Sequence, residues 1–153
     1  MQLALLKDIT VNQTKELVNG MLGIPYKHLG RDKMGLDCWG VIIYAYKKFG
    51  YQIQDWKEYE EDWSKKDKNY FMLNFYKDYY KRWQPVEIPA LLDVVLFEGK
   101  NGIMNHAGIV VDINKFLHCP KMGVMLSTFH HLWLNKNPKF YRLKERIDGT
   151  KKT

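Results

Sequence analysis

The sequence predicts an α+β domain, and three observations carry that reading: helical apolar spacing near the start, an aromatic and charged stretch in the middle, and short β-branched runs between turn residues from residue 91 onward. Helices first and strands afterwards is the order of a helix layer packed on an antiparallel sheet. With 153 residues, 46% apolar and 14% aromatic, the chain can build one substantial core, so 1–153 is read as a single domain.

Val11, Leu17, Val18, Met21 and Leu22 recur at helical spacing behind the plausible caps Thr10 and Asn12, and Gly23-Ile24-Pro25 ends that first helix. Residues 26–36 hold Gly30, Arg31, Asp32 and Gly35 without a period and read as a loop. From Cys38, the positions Val41, Ile42, Ala45 and Phe49 share one face, with Asp37 as cap and Gly50 as terminator, which predicts a buried central helix.

Residues 51–84 read as a helical, aromatic-rich insert of two amphipathic helices, since Trp56, Tyr59 and Trp63 repeat at helical spacing, as do Met72, Phe75, Tyr76, Tyr79 and Trp83. Aromatics so spaced form core more often than a ligand platform. After Pro85 and Pro89, the runs at 91–97, 106–111, 116–118 and 123–127 predict an antiparallel meander. Lys139-Phe140-Tyr141-Arg142-Leu143 adds a last strand, and the charged tail 144–153 is expected to fray.

A formal charge of +7 favours anionic partners, but the basic residues are scattered apart from the short groups Lys65-Lys66-Asp67-Lys68 and Lys151-Lys152. A solvated surface explains them, and no nucleic-acid reader motif is present, so no nucleic-acid partner is expected. The apolar run in residues 1–8 is too short for a signal peptide, and no stretch reaches membrane-spanning length, so the expectation is a soluble protein with neither a secretion signal of its own nor integral membrane association. Cys38 and Cys119 are too few for a disulfide scaffold and lack zinc-site spacing, and His28, His130 and His131 read as surface histidines, so neither metal nor other cofactor is expected.

Cys38 falls in the first turn of the predicted central helix, where unpaired N–H groups and the helix dipole favour a thiolate. On the strand that starts at His106, the side chains of His106, Gly108 and Val110 share one face, so His106 is expected to look toward the helix of Cys38. His118, on the next strand, would lie beside His106 across a hairpin and orient its ring, with Cys119 pointing away as core packing. Taken singly, a cysteine on an apolar helix face is usually core and a histidine at a strand start is usually a surface group.

Four blocks change that balance: Gly23-Ile24-Pro25-Tyr26, Leu36-Asp37-Cys38-Trp39-Gly40, Asn105-His106-Ala107-Gly108-Ile109 and Phe116-Leu117-His118 stand in an order that resembles the signature of NlpC/P60 cysteine peptidases. The resemblance covers roughly residues 10–128 and implies a papain-like core, in which the helix bearing Cys38 packs on an antiparallel sheet bearing His106 and His118. It also implies Cys38 as nucleophile, His106 as general base and acid, His118 as the polar group holding the imidazole, and Tyr26 near the substrate carbonyl. A thiolate–imidazolium pair of Cys38 and His106 is the expected resting state.

Departures from the family pattern are Trp39 where a small serine is common, Lys27-His28-Leu29-Gly30 where Trp-Gly-Gly is familiar, and Leu92 where a glycine precedes the aspartate of Asp93-Val94-Val95-Leu96-Phe97. The first two bear on substrate fit. The family's usual substrate is the stem peptide of peptidoglycan, commonly cut between D-glutamate and the diamino acid, and that is the implied substrate here. Ser127, Trp133 and Phe140-Tyr141-Arg142 resemble more narrowly the members associated with bacteriophage tails, which implies phage tail proteins as partners and the virion tail or host cytoplasm as location. The competing readings are a tail assembly protein on the same fold and a thiol acyltransferase.

Overall fold

The computed structural model describes residues 2–55, 81–99, 102 and 104–148. The first helix, α1, spans Val11–Met21 and begins on a capping box: the Gln13 N–H donates to Thr10 Oγ1 at 3.1 Å, and the Thr10 N–H donates to Gln13 Oε1 at 2.8 Å. Leu17 and Met21 turn inward. The expected loop holds a small hairpin of β1 (Arg31–Asp32) and β2 (Gly35–Leu36), strands of two residues each and too short to leave a period in sequence.

Helix α2, Cys38–Lys48, starts where Asp37 accepts from the Gly40 N–H at 2.8 Å and ends on Lys47 and Lys48, cations suited to the dipole at that end. Cys38, Trp39, Gly40, Val41, Ile42, Ala45 and Tyr46 are buried along it. Gly40 lets the hairpin lie against its first turn, because a Cβ there would sit 2.2 Å from the Gly30 carbonyl oxygen.

The main sheet is fully antiparallel, built from β3 (Trp83–Val86), β4 (Val94–Glu98), β5 (Met104–Asp112), β6 (Lys115–His118), β7 (Met125–Thr128) and β8 (Lys139–Leu143) in the spatial order β3-β8-β4-β5-β6-β7. Strand β3 departs from expectation: Trp83, assigned by periodicity to the end of an insert helix, opens an edge strand. Its ring is buried 6.5 Å from Trp39 and 6.0 Å from Tyr46, so packing on α2 overrides local pattern. Pro85 is tolerated there because an edge strand has ladder positions without a partner. The remaining insert aromatics, from Trp56 to Tyr79, lie outside the described residues.

Alternation along the strands makes two cores. Val94, Leu96, Ala107, Ile109 and Leu117 join α1 and α2 in the larger one, while Val95, Phe97, Val110, Phe116 and Phe129 form a smaller one on the opposite face. A short helix that the sequence did not announce, α3 (His131–Leu134), brings Trp133 against this second core, and His130 and His131 stay exposed as expected.

Residues Lys144–Asp148 form helix α4 where a frayed tail was expected. The correction has an electrostatic cause: Arg146 is buried and reaches Asp8 at 2.7 Å, Asp93 at 2.9 Å and the Leu91 carbonyl at 2.5 Å, while Arg142 holds the other side of Asp93 at 2.8 Å. Burial nevertheless pushes the Asp93 carboxyl above its ordinary range, against the pull of both guanidinium groups. Leu92, at the position of the family glycine, keeps a left-handed backbone with φ of 74° although fully buried, and its carbonyl accepts from the Tyr46 hydroxyl.

Candidate active site

Cys38 is the first residue of α2, and the backbone N–H of Ala107 on β5 lies near enough to its sulfur to favour the thiolate. The nucleophile candidate therefore meets the strand at the residue next to His106. The face of β5 that packs on α2 carries Ala107 and Ile109; the His106 ring lies with the second core, 6.2 Å from Phe97 and 5.6 Å from Trp133. The expectation that His106 looks toward the helix is thus replaced by an edge arrangement, in which His106 stands near the start of β5, beside the start of α2.

The two histidines come together as expected. His106 Nε2 and His118 Nδ1 are 2.7 Å apart, with the rings edge to face at 4.9 Å. Gly108 makes this possible: it is paired directly with His118, and a Cβ on it would lie 3.2 Å from the His118 Cβ and 2.9 Å from the Leu117 carbonyl oxygen. The other nitrogen of His118, Nε2, is 2.7 Å from Ser127 Oγ on β7. Ser127 carried only a subfamily resemblance in sequence. Strand alternation would have put it on the face of Phe116 and His118, but only after the β6–β7 register, with Phe116 opposite Ser127, was known.

Tyr26 is half-buried and bridges Leu36, two residues before Cys38, with the Lys121 ammonium 5.1 Å over its ring. Asp37, beside the nucleophile, is held by Arg31 at 2.8 Å and by the Leu29 N–H at 2.9 Å, and Arg31 also reaches Asp55 at 3.1 Å. This carboxylate is the part of the site that sequence reading took only as a helix cap. Cys119 is buried in the larger core, on the side of Cys38 and away from the His118 ring, and its thiol donates to the Leu36 carbonyl at 3.1 Å. Burial and Asp37 push that thiol up to about 12.

The resting electrostatics run against the expected ion pair. Burial raises the Cys38 thiol well above its ordinary range, and Asp37 raises it further than the nearby Ala107 N–H lowers it. Burial, then His118 and Lys136, push His106 down to about 3, and burial pushes His118 down to about 4. Burial thus favours the neutral form of each group. Among the described residues, no three histidine, cysteine or acidic side chains cluster as metal ligands, and no helix is long and apolar enough to cross a membrane.

The NlpC/P60 family profile matches residues 23–139. The chain belongs to the NlpC/P60 family. Its papain-like α+β fold is shared with the NlpC/p60 domain of the peptidoglycan hydrolase SagA, at 20% identity and a TM-score of 0.57 over 87% of this chain and 97% of that one. An NlpC/P60 family protein from Bacillus cereus ATCC 10987 matches at 17% identity and a TM-score of 0.59, over 88% of this chain. A protein similar to lipoprotein of the NLP/P60 family, from Staphylococcus aureus subsp. aureus Mu50, matches at 19% identity and 0.56 over 82% of this chain. This chain spans 40% and 38% of the length of those two. No curated protein matches in sequence. Within the NlpC/P60 match lie Tyr26, Cys38, His106, His118 and Ser127.

Proposed function

We propose that this NlpC/P60 domain is a cysteine peptidase that hydrolyses an amide bond in the stem peptide of bacterial peptidoglycan. The observation that carries the reading is the meeting of the Cys38 sulfur with the Ala107 N–H, one residue from an imidazole whose far nitrogen is engaged by His118. A nucleophile at a helix start, a base beside it and a third group on that base form the constellation of covalent acyl transfer.

Because His106 Nε2 is taken by His118, Nδ1 is the nitrogen that faces the chemistry. The thiol proton passes to it as sulfur attacks the carbonyl carbon, so the neutral resting pair charges only as the tetrahedral adduct forms. The Cys38 N–H, free of an intrahelical partner at the first position of α2, and the Tyr26 hydroxyl stabilise the oxyanion. The C–N bond then breaks with transfer of the His106 proton to the amine. Water, deprotonated by His106, hydrolyses the thioester and restores the thiol.

The SagA domain's description as part of a peptidoglycan hydrolase supports the wall peptide as substrate class. The bond between D-glutamate and the diamino acid, and a place among phage tail components acting on the wall during infection, are the finer readings. They rest on the sequence resemblance, with Ser127, Trp133 and Phe140-Tyr141-Arg142 behind the tail association.

Incubating wild type and Cys38→Ala with peptidoglycan digests from several bacteria, and following new stem-peptide fragments by mass spectrometry, tests the proposal. A fragment made only by wild type identifies the bond. A folded wild type that releases none from any wall turns the reading over to the assembly role or to acyl transfer. Tyr26→Phe should slow turnover about 100-fold if its hydroxyl is an oxyanion donor worth about 3 kcal/mol.

A further inference from the structure

The proposed mechanism leaves one polar contact of the histidine pair unused, that of His118 with Ser127. His118 is 1% exposed, and both its nitrogens are occupied: Nδ1 by His106 Nε2 at 2.7 Å and Nε2 by Ser127 Oγ at 2.7 Å. Its ring packs against Phe116 at 4.6 Å and Trp133 at 5.1 Å, two rings that also meet each other at 5.2 Å. A row of three hydrogen-bonding groups has two self-consistent senses. In one, Ser127 donates to His118 Nε2 and His118 Nδ1–H donates to His106, which must then carry its own proton on Nδ1 and has no lone pair for the thiol proton. In the other, His106 Nε2–H donates to His118 Nδ1, His118 Nε2–H donates to Ser127 Oγ, and His106 Nδ1 is bare.

Only the second sense survives protonation of His106, because an imidazolium is a donor at both nitrogens. His118 must then accept at Nδ1 and give its proton to an acceptor at Nε2, and the Ser127 oxygen is the group within reach. Ser127 is half-buried at the rim of the sheet, so its own O–H can turn to solvent while its lone pairs face the ring.

We propose that Ser127 is a positioning residue for the proposed peptidase reaction: by accepting the His118 Nε2–H, it fixes the tautomer of both histidines, leaving His106 Nδ1 ready to take the Cys38 proton. The inference rests on the peptidase reading for its kinetic consequence, but the tautomer it predicts is a property of the protein without substrate.

The test compares full-length wild type, Ser127→Ala and Ser127→Thr by long-range 15N–1H spectra of the histidine rings and by release of stem-peptide fragments. Wild type should show Nε2–H for both His106 and His118. Ser127→Ala should lose the single His118 tautomer and lower kcat by about 10-fold or more with KM little changed, a part of what general acid–base catalysis supplies. Ser127→Thr, which restores a hydroxyl, should recover both. An Nδ1–H tautomer at His118 in wild type overturns the proposal, and so does a Ser127→Ala protein with unchanged tautomer and kcat. If wild type releases no fragment, the peptidase reading fails separately, and the ring spectra still decide the role of Ser127 in the histidine pair.

Discussion

Acid should destabilise this fold through its histidine pair. His118 is 1% exposed and is held from the ordinary 6.5 down to about 4 by burial, so the folded chain binds fewer protons than the unfolded chain between those values. Stability contributed in this way is present above the unfolded pKa and is lost as pH falls through 6.5 toward 4. Between pH 7 and pH 5 the linkage relation gives a loss of about 2 kcal/mol from His118 alone, and His106, pushed lower still, acts in the same direction. Urea unfolding followed by far-UV circular dichroism at the two pH values reads the loss directly. His118→Gln should remove about half of the acid sensitivity carried by the pair, and His106→Gln with His118→Gln should remove nearly all of it. Carboxylates such as Asp93 titrate alike in all three proteins and cancel in the comparison. If the double variant loses as much stability between pH 7 and pH 5 as wild type, the fold does not hold the two rings neutral and the direction of their shifts is wrong.

Three further substitutions probe the supports of the site. Gly108→Ala should lower turnover by about 10-fold or more through loss of general acid–base geometry, because the new methyl group presses on the His118 Cβ; fragment release with circular dichroism separates this from unfolding. Arg146→Met should cost about 3–5 kcal/mol in urea unfolding by leaving Asp8 and one side of Asp93 without their guanidinium, and a loss below about 1 kcal/mol would mean that Arg142 alone satisfies Asp93. Leu92→Gly restores the family residue and relieves about 1 kcal/mol of left-handed strain, but it empties a fully buried site worth about 2–5 kcal/mol; net destabilisation is expected, and a stabilised variant would show that strain outweighs packing.

What could be read in sequence follows the range of the forces involved. Helices α1 and α2 were legible because Thr10, Asp37 and the buried positions between them act within a few residues. The meander was legible because its strands are short β-branched runs set off by turn residues. Trp83 was misassigned because its partners, Trp39 and Tyr46, lie some forty residues away, and α4 was missed because charged residues signal solvent unless a buried counter-ion is known. The site divides the same way. The pairing of His106 with His118 followed from hairpin geometry, whereas the side of the sheet they occupy and the Ser127 contact depend on registers that local pattern does not contain. The effect of Asp37 on Cys38 was hidden behind its role as a cap: one carboxylate orders the helix start and opposes the charge that the dipole favours.

The Asp8–Arg146 pair also connects the start of the fold to its far edge. It brings residue 8 against residue 146, while Leu3, five residues earlier, packs on the second core on the other face of the sheet. Asp93, the centre of that clamp, precedes β4, and Phe97 four residues on is the one that faces His106, a separation of about 13 Å at about 3.3 Å per residue. One strand thus links the clamp that ties residue 8 to residue 146 with the edge where the histidine pair sits.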